Sequence, residues 1–177
     1  MMSAGISKPN GDIIVAEGIK RGFPSGGDIF WALGGISLKI SSGKLTIFRG
    51  RSGSGKTTLM NILGALDQPT EGKVYLDGRD INAMSEKERD EIRRKRMGFV
   101  FQSVALVSMM TAYENIEFAL RIANYPAQKR KKRVEECLRL VGLASRMNHM
   151  PQELSGGEQQ RVAIARAIAH SPVVIFA

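Results

Sequence analysis

Gly50-Arg51-Ser52-Gly53-Ser54-Gly55-Lys56-Thr57 is the stretch on which the fold of this chain turns, because it fits G-x-x-x-x-G-K-[ST]. Glycines at this spacing let successive backbone amides face one point, and a helix starting directly after them aims its positive end at the same place. Leu45 to Arg49, immediately before the loop, is expected to form a short buried strand. Lys56 to about Ala65 reads as a helix carrying Leu59, Ile62, Leu63 and Leu66 on one side and stopping before Asp67-Gln68-Pro69. Strand, glycine loop and helix in that order make a cradle for polyphosphate. Lys56 would reach the β and γ phosphates, the Thr57 hydroxyl would serve Mg²⁺, and Thr58 is placed for the α phosphate. A glycine-rich turn with a surface lysine is the plainer alternative, and the flanking strand and helix weigh against it.

Outward from the loop, Ile13 to Val15 and Ile29 to Ile40 read as strands separated by the turn-rich Gly22-Phe23-Pro24-Ser25-Gly26-Gly27. Three helices begin with capping boxes: Ser85 with Glu88, Thr111 with Glu114, and Ser155 with Glu158. A fourth starts at Pro126 and ends near Gly142. Met97 to Phe101 reads as a strand closed by Gln102, the stretch from Ser103 to about Glu153 is mostly helical, and strand character returns at Val173-Val174-Ile175-Phe176. The pattern is an α/β core with a helical insert, free of internal repeats, low-complexity tracts and linkers. Ser155 opens a helix whose first residues are Gly156 and Gly157, leaving amides that can face an anion. Taken alone, Ser-Gly-Gly-Glu is a helix start and nothing more.

Composition narrows the classes. A chain of 177 residues with 43% apolar content fits one domain with a real core. Its apolar stretches fall far short of the roughly 18 to 20 residues that cross a bilayer, and Met1 to Lys20 has no stretch of signal-peptide type, so a soluble cytosolic chain is expected. The one cysteine, Cys137, excludes an internal disulfide and a Cys-based metal cluster. Its neighbours Val134, Leu138 and Val141 at helical spacing point to a packed core thiol. The net charge of +9 owes much to Arg93-Arg94-Lys95-Arg96 and Lys129-Arg130-Lys131-Lys132-Arg133. These runs read as solvated helix faces, and without interleaved aromatics no nucleic-acid partner is expected.

Gly50 to Thr57 together with Leu154-Ser155-Gly156-Gly157-Glu158-Gln159-Gln160-Arg161 resembles the nucleotide-binding subunit of an ABC transporter, and the order of elements agrees over nearly the whole chain. Within that family, Phe99-Val100-Phe101-Gln102, Leu66-Asp67-Gln68-Pro69-Thr70-Glu71-Gly72 and Thr111-Ala112-Tyr113-Glu114-Asn115 are most similar to the lipoprotein-release and macrolide or peptide export branch, the LolD and MacB kind.

The resemblance implies a P-loop NTPase (RecA-like) core with an N-terminal antiparallel β part and a helical insert, binding ATP and Mg²⁺. On that reading 1–177 is one nucleotide-binding domain: 1–102 is the β part and P-loop core, 103–153 the helical insert, and 154–177 the signature helix and the start of the Walker B strand. It further implies phosphate contacts from Gly50, Arg51, Ser52, Gly53, Ser54, Gly55, Lys56, Thr57 and Thr58, with Arg51 replacing the usual proline. Phe23, eight residues before Trp31, matches the aromatic that stacks on adenine, although an aromatic before Pro24 also suits plain loop packing. The resemblance implies that Gln102 is the Q-loop glutamine, which touches Mg²⁺ and the attacking water beside the membrane partner's coupling helix. Without the flanking motifs it is only a polar residue closing a strand.

The resemblance implies that Ser155, Gly156 and Gly157, with Gln159 beside them, act in trans on the nucleotide of a second subunit. The implied assembly is a head-to-tail homodimer of nucleotide-binding subunits, each docked on a transmembrane permease at the cytoplasmic face of the membrane. The resemblance also implies a chain incomplete at its C-terminus, because the family's Mg²⁺ aspartate, catalytic glutamate and switch histidine follow the strand that Val173-Val174-Ile175-Phe176-Ala177 begins. His149 and His170 both precede that strand and take ordinary surface or capping roles. Weak MgATP binding, negligible turnover and marginal stability are expected of the chain as it stands. A soluble ABC-type ATPase of repair or translation, and a non-catalytic fragment of a disrupted gene, are the alternatives.

Overall fold

The computed structural model describes residues 11–177, and residues 1–10, counted above with the N-terminal β part, lie outside the described residues. The chain packs as two compact units, one ending at Arg89 and the other running from Asp90 to Ala177.

The first unit is an antiparallel sheet with one helix. Strands β1 (Asp12–Ser25), β2 (Asp28–Ser41), β3 (Glu71–Leu76) and β4 (Arg79–Asp80) lie in the order β2-β1-β3-β4, and helix α1 spans Lys56–Leu63. Ile14, Ala16 and Ile19 of β1, Leu33 of β2, Val74 and Leu76 of β3 and Leu59, Ile62 and Leu63 of α1 are buried and form its core.

The expected break at 22–27 is far narrower in the structure. Strand β1 runs on through Phe23 and Pro24, which pair with Phe30 and Ile29, and only Gly26 and Gly27 make the turn. Pro24 has no N–H to give, and it fits because the β3 ladder stops at Lys20–Glu71, leaving β1 paired on one side there. Strands β3 and β4 come from a hairpin whose signal is Asp77-Gly78, both at positive φ (50° and 75°).

Residues 45–49, expected to be a buried strand, are not one. They join no ladder among the described residues, and Leu45 and Ile47 are 88% and 64% exposed. Apolar alternation marks a segment able to pair, but a strand exists only where a neighbour supplies the other half of the ladder.

Helix α2 (Glu86–Arg96) contains the division between the units, and the Ser85 and Glu88 capping box forms at its start. In the second unit β5 (Met97–Phe99) pairs in parallel with β6 (Val174–Phe176). Helices α3 (Ala112–Ile122), α4 (Ala127–Leu140) and α5 (Gly156–Ile168) pack around Ile116, Leu120, Val134, Leu138, Leu154 and Val162. Cys137 is fully buried in that core, and burial raises its thiol pKa, as expected for an inert packing residue.

The basic run at the start of α4 is only partly a solvated face. Lys129, Lys131 and Lys132 are exposed, whereas Arg130 donates to Tyr125 O (2.8 Å) and Arg133 to Ala169 O (2.7 Å) and Ile168 O (3.1 Å). Arg133 thereby caps the last carbonyls of α5, which is where a cation is most useful to a helix. Among the described residues no helix is long and apolar enough to cross a membrane.

Candidate functional site

In the first unit the glycine loop is built as its spacing demands. Gly55 has φ +82°, and a Cβ there would lie 2.6 Å from Ala32 O and 2.7 Å from Leu33 Cδ2, so only glycine lets the loop press this closely on β2. Gly55 is also the N-cap of α1. With no side chain to cap with and no acidic residue in the first turn, the leading amides and positive end of α1 are left to an external anion.

Lys56 Nζ donates to Gly50 O (2.8 Å), Arg51 O (2.7 Å) and Ser54 Oγ (3.3 Å), closing the loop around its own ammonium. A cleft of about 390 Å³ opens over this arrangement, lined by Phe23, Phe30, Ala32 and the run Ser52, Gly53, Ser54, Gly55, Lys56, Thr57 and Thr58. The sequence-expected aromatic and phosphate residues therefore share one cavity, while Gly50 and Arg51 are outside its lining and turn their carbonyls to Lys56. Phe30 is an addition that sequence reasoning missed. It enters through the β1–β2 register, which sets it opposite Phe23.

The second unit carries the other expected residues. Ser155 caps α5 by accepting from Glu158 N (3.3 Å), and the Glu158 carboxylate accepts from Ser155 N and Oγ (both 2.8 Å). The bond from the Ser155 amide, then that from its hydroxyl, holds the Glu158 carboxyl below its ordinary pKa. Gly156 and Gly157 are exposed, and a Cβ at Gly156 would meet nothing within 4 Å, so the second helix start also presents bare backbone. Gln159 is turned inward, donating to Pro151 O (2.8 Å) and Leu154 O (3.1 Å), and so pins the turn that leads into α5.

Gln102 is exposed just beyond β5, at the start of a segment tied down at several points. Val100 N donates to Phe176 O (2.8 Å), and Arg166 of α5 donates to Ala105 O (2.6 Å). Asn115, 1% exposed, accepts from Val107 N and donates to Val107 O, Met110 O and Thr111 O. Asn115 and Arg166 are organising residues the sequence reading passed over. A polar residue inside an apolar helical face was the available signal for the first, and for Arg166 there was none.

His170 is half-buried and donates from Nε2 to Met97 O (3.0 Å), with burial pushing its pKa down, while His149 lies beside Arg146. Among the described residues no cluster of three His, Cys, Asp or Glu side chains is placed to hold a metal.

Comparison with known proteins gives these sites company. The family described as ABC transporter matches residues 33–177. An uncharacterized ABC transporter ATP-binding protein of Thermotoga maritima is 49% identical over 146 residues, which are 82% of this chain and 62% of that protein. The chain thus spans less than two thirds of that relative. The lipoprotein-releasing system ATP-binding protein LolD of Aquifex aeolicus is 45% identical over 166 residues, covering 94% of this chain and 72% of LolD. Among solved structures, the dimeric post-hydrolysis state of the ATP-binding cassette MJ0796 bound to ADP and Pi superposes with a TM-score of 0.83 at 42% identity, covering 92% of this chain and 72% of that one. The α/β fold with its antiparallel N-terminal sheet is the fold of that cassette.

Proposed function

This chain belongs to the ABC transporter family, and from that premise we propose that it is the ATP-binding subunit of a transporter, coupling ATP binding and hydrolysis to substrate export or lipoprotein release through a separate membrane permease. One observation carries the reading: the cleft lined by the aromatic Phe23 together with the loop 52–58, Lys56 included. An aromatic and a nest of amides with an ammonium in one cleft match the base and the phosphates of a purine nucleoside triphosphate in chemistry.

Phe23 takes the base, and Ser52, Gly53, Ser54, Gly55, Lys56, Thr57 and Thr58 hold the phosphates, with Gly50 and Arg51 supporting Lys56 through their carbonyls. The Gln102 side-chain oxygen, carried by the second unit, is a hard oxygen donor of the kind Mg²⁺ accepts, and so is the Thr57 hydroxyl, which lines the cleft of the first unit. Bound there, the ion would neutralise charge on the β and γ phosphates. The chain's own contribution is positional: Lys56 orients the phosphates and the amides of α1 stabilise their charge.

Ser155, Gly156, Gly157 and Gln159 belong to the start of α5 that covers the nucleotide of a second copy. The dimeric structure of the cassette MJ0796 supports pairing of two copies, and the head-to-tail arrangement is the one that sets each α5 start against the other copy's nucleotide. The family match covers residues 33–177, across both compact units, and that continuity favours reading 1–177 as one nucleotide-binding domain. In the cell the dimer sits on the cytoplasmic face of the membrane, docked on the permease.

Calorimetric titration of MgATP into the chain and into Lys56→Ala tests the first half of the reading. A loss of at least about tenfold is expected, since a charge-assisted contact to phosphate is worth about 1.5–3 kcal/mol. Equal affinities would overturn it. Sedimentation with MgATP tests the second half: an ATP-dependent dimer is expected and should vanish in Ser155→Arg.

A further inference from the structure

We propose that Arg21 positions the Phe23 ring and thereby sets the affinity for the base of the nucleotide, a role that rests on the ATP-binding reading above and deepens it. Arg21 and Phe23 are two residues apart on β1, so their side chains can leave the same face of the strand. The guanidinium carbon of Arg21 stands over the Phe23 ring, 4.6 Å from its centroid. Asp67 holds that guanidinium in a two-pronged grip, accepting from Nε at 3.0 Å and from Nη2 at 2.9 Å. Asp67 is itself fixed at the end of α1, its N–H donating to Asn61 O (3.2 Å) and its Oδ1 accepting from Gln68 N (2.7 Å).

A continuous line of contacts therefore runs from the phosphate loop along α1 to Asp67, then to Arg21, and ends on the ring. The phosphate cradle and the aromatic platform are held at a set separation by this line, which is what a ligand with a base at one end and phosphates at the other requires. Phe23 lines the cleft and Arg21 does not, so the cation backs the ring from outside the cavity. A cation on one side draws π density toward itself. It leaves the cleft side less negative and better suited to the electron-rich face of a purine. A plain ion pair between β1 and the end of α1 would give none of this dependence on the ring.

The test measures two ligands on the full chain, MgATP and magnesium tripolyphosphate, the second keeping the phosphates and lacking the base. Arg21→Met, Phe23→Leu and the double variant are titrated with both. Arg21→Met is expected to weaken MgATP about threefold to tenfold relative to tripolyphosphate. In the Phe23→Leu background that effect should vanish, because Arg21 acts through the ring. Each result is a ratio of affinities on the same molecules, so any fraction lost to unfolding cancels. Asp67→Asn should lower the ratio in the same direction by a smaller factor. An unchanged ratio in Arg21→Met, or an equal loss without the Phe23 ring, overturns the proposal and leaves the ATP-binding reading intact. Failure of that reading would show separately, as indifference of both ligands to Lys56→Ala.

Discussion

Asn115→Ala should loosen the segment that follows Gln102 while leaving the start of α3 in place. The wild-type amide accepts from Val107 N at 2.8 Å and donates to Val107 O at 3.1 Å, Met110 O at 2.9 Å and Thr111 O at 3.0 Å. These bonds are not equal in consequence. Val107 is 37% exposed, so water replaces both partners there at modest cost, and Thr111 O keeps its helical bond from Asn115 N at 2.9 Å. The amide has two N–H groups to share among its three carbonyl partners, so two losses at the lower end of the net value of a hydrogen bond and one nearer the upper end, with a small cavity at a 1% exposed site, come to about 3 kcal/mol.

Urea unfolding measures that loss, and amide exchange locates it. The Val107 amide should lose protection, while the Glu114 amide, bonded to Thr111 Oγ1 at 3.2 Å, should keep its own. Asn115→Asp adds a sign test. It retains an acceptor for Val107 N but sets a carboxylate against three carbonyl oxygens, so it should destabilise more than alanine does. A loss below about 1 kcal/mol for Asn115→Ala, an unchanged Val107 amide, or an aspartate variant more stable than the alanine one would refute the reasoning.

Two further outcomes test the loop and the helix starts. Gly55→Ala meets Ala32 O at 2.6 Å as well as carrying the cost of φ +82°, whereas Gly53→Ala carries φ +77° with nothing within 4 Å of its Cβ. Each left-handed position costs about 1–2 kcal/mol, so MgATP affinity should fall much further in Gly55→Ala, and equal losses would show that the contact with β2 does not shape the loop. Hydrogen bonds from Ser155, Thr111 and Ser85 hold the carboxyls of Glu158, Glu114 and Glu88 below their ordinary pKa. Their stabilisation is therefore full above the ordinary carboxylate pKa and is lost as pH falls through the lowered folded-state values. Acid titration of the Ser155 amide shift should follow that course and flatten in Glu158→Gln, and a flat wild-type titration would contradict the bond.

Most of the phosphate cradle is legible in the order of residues because its interactions span only a few positions. Glycines at 53 and 55 supply positive φ, and Lys56 folds back on carbonyls five and six residues away. The capping boxes at Ser85, Thr111 and Ser155 are likewise contacts between a residue and its third neighbour. Helix α4 is readable from its apolar period, and Cys137 with it. The misreadings share a different cause. Residues 45–49 have the alternation of a strand and no partner among the described ladders, while the hairpin at Asp77-Gly78 was written in a turn dipeptide that the reading passed over.

What the order of residues determined alone is therefore the loop, the helix starts and the identity of the chemistry they offer, since backbone conformation and capping are settled within about four residues. Tertiary structure alone decided which side chains stand around that chemistry. Phe30 reaches the cleft through strand register, Arg21 backs Phe23 through an ion pair 46 residues away in sequence, and Arg133 caps a helix 36 residues on. Such partners are selected by which surfaces are buried together, and burial is a property of the folded chain that no short window of sequence contains.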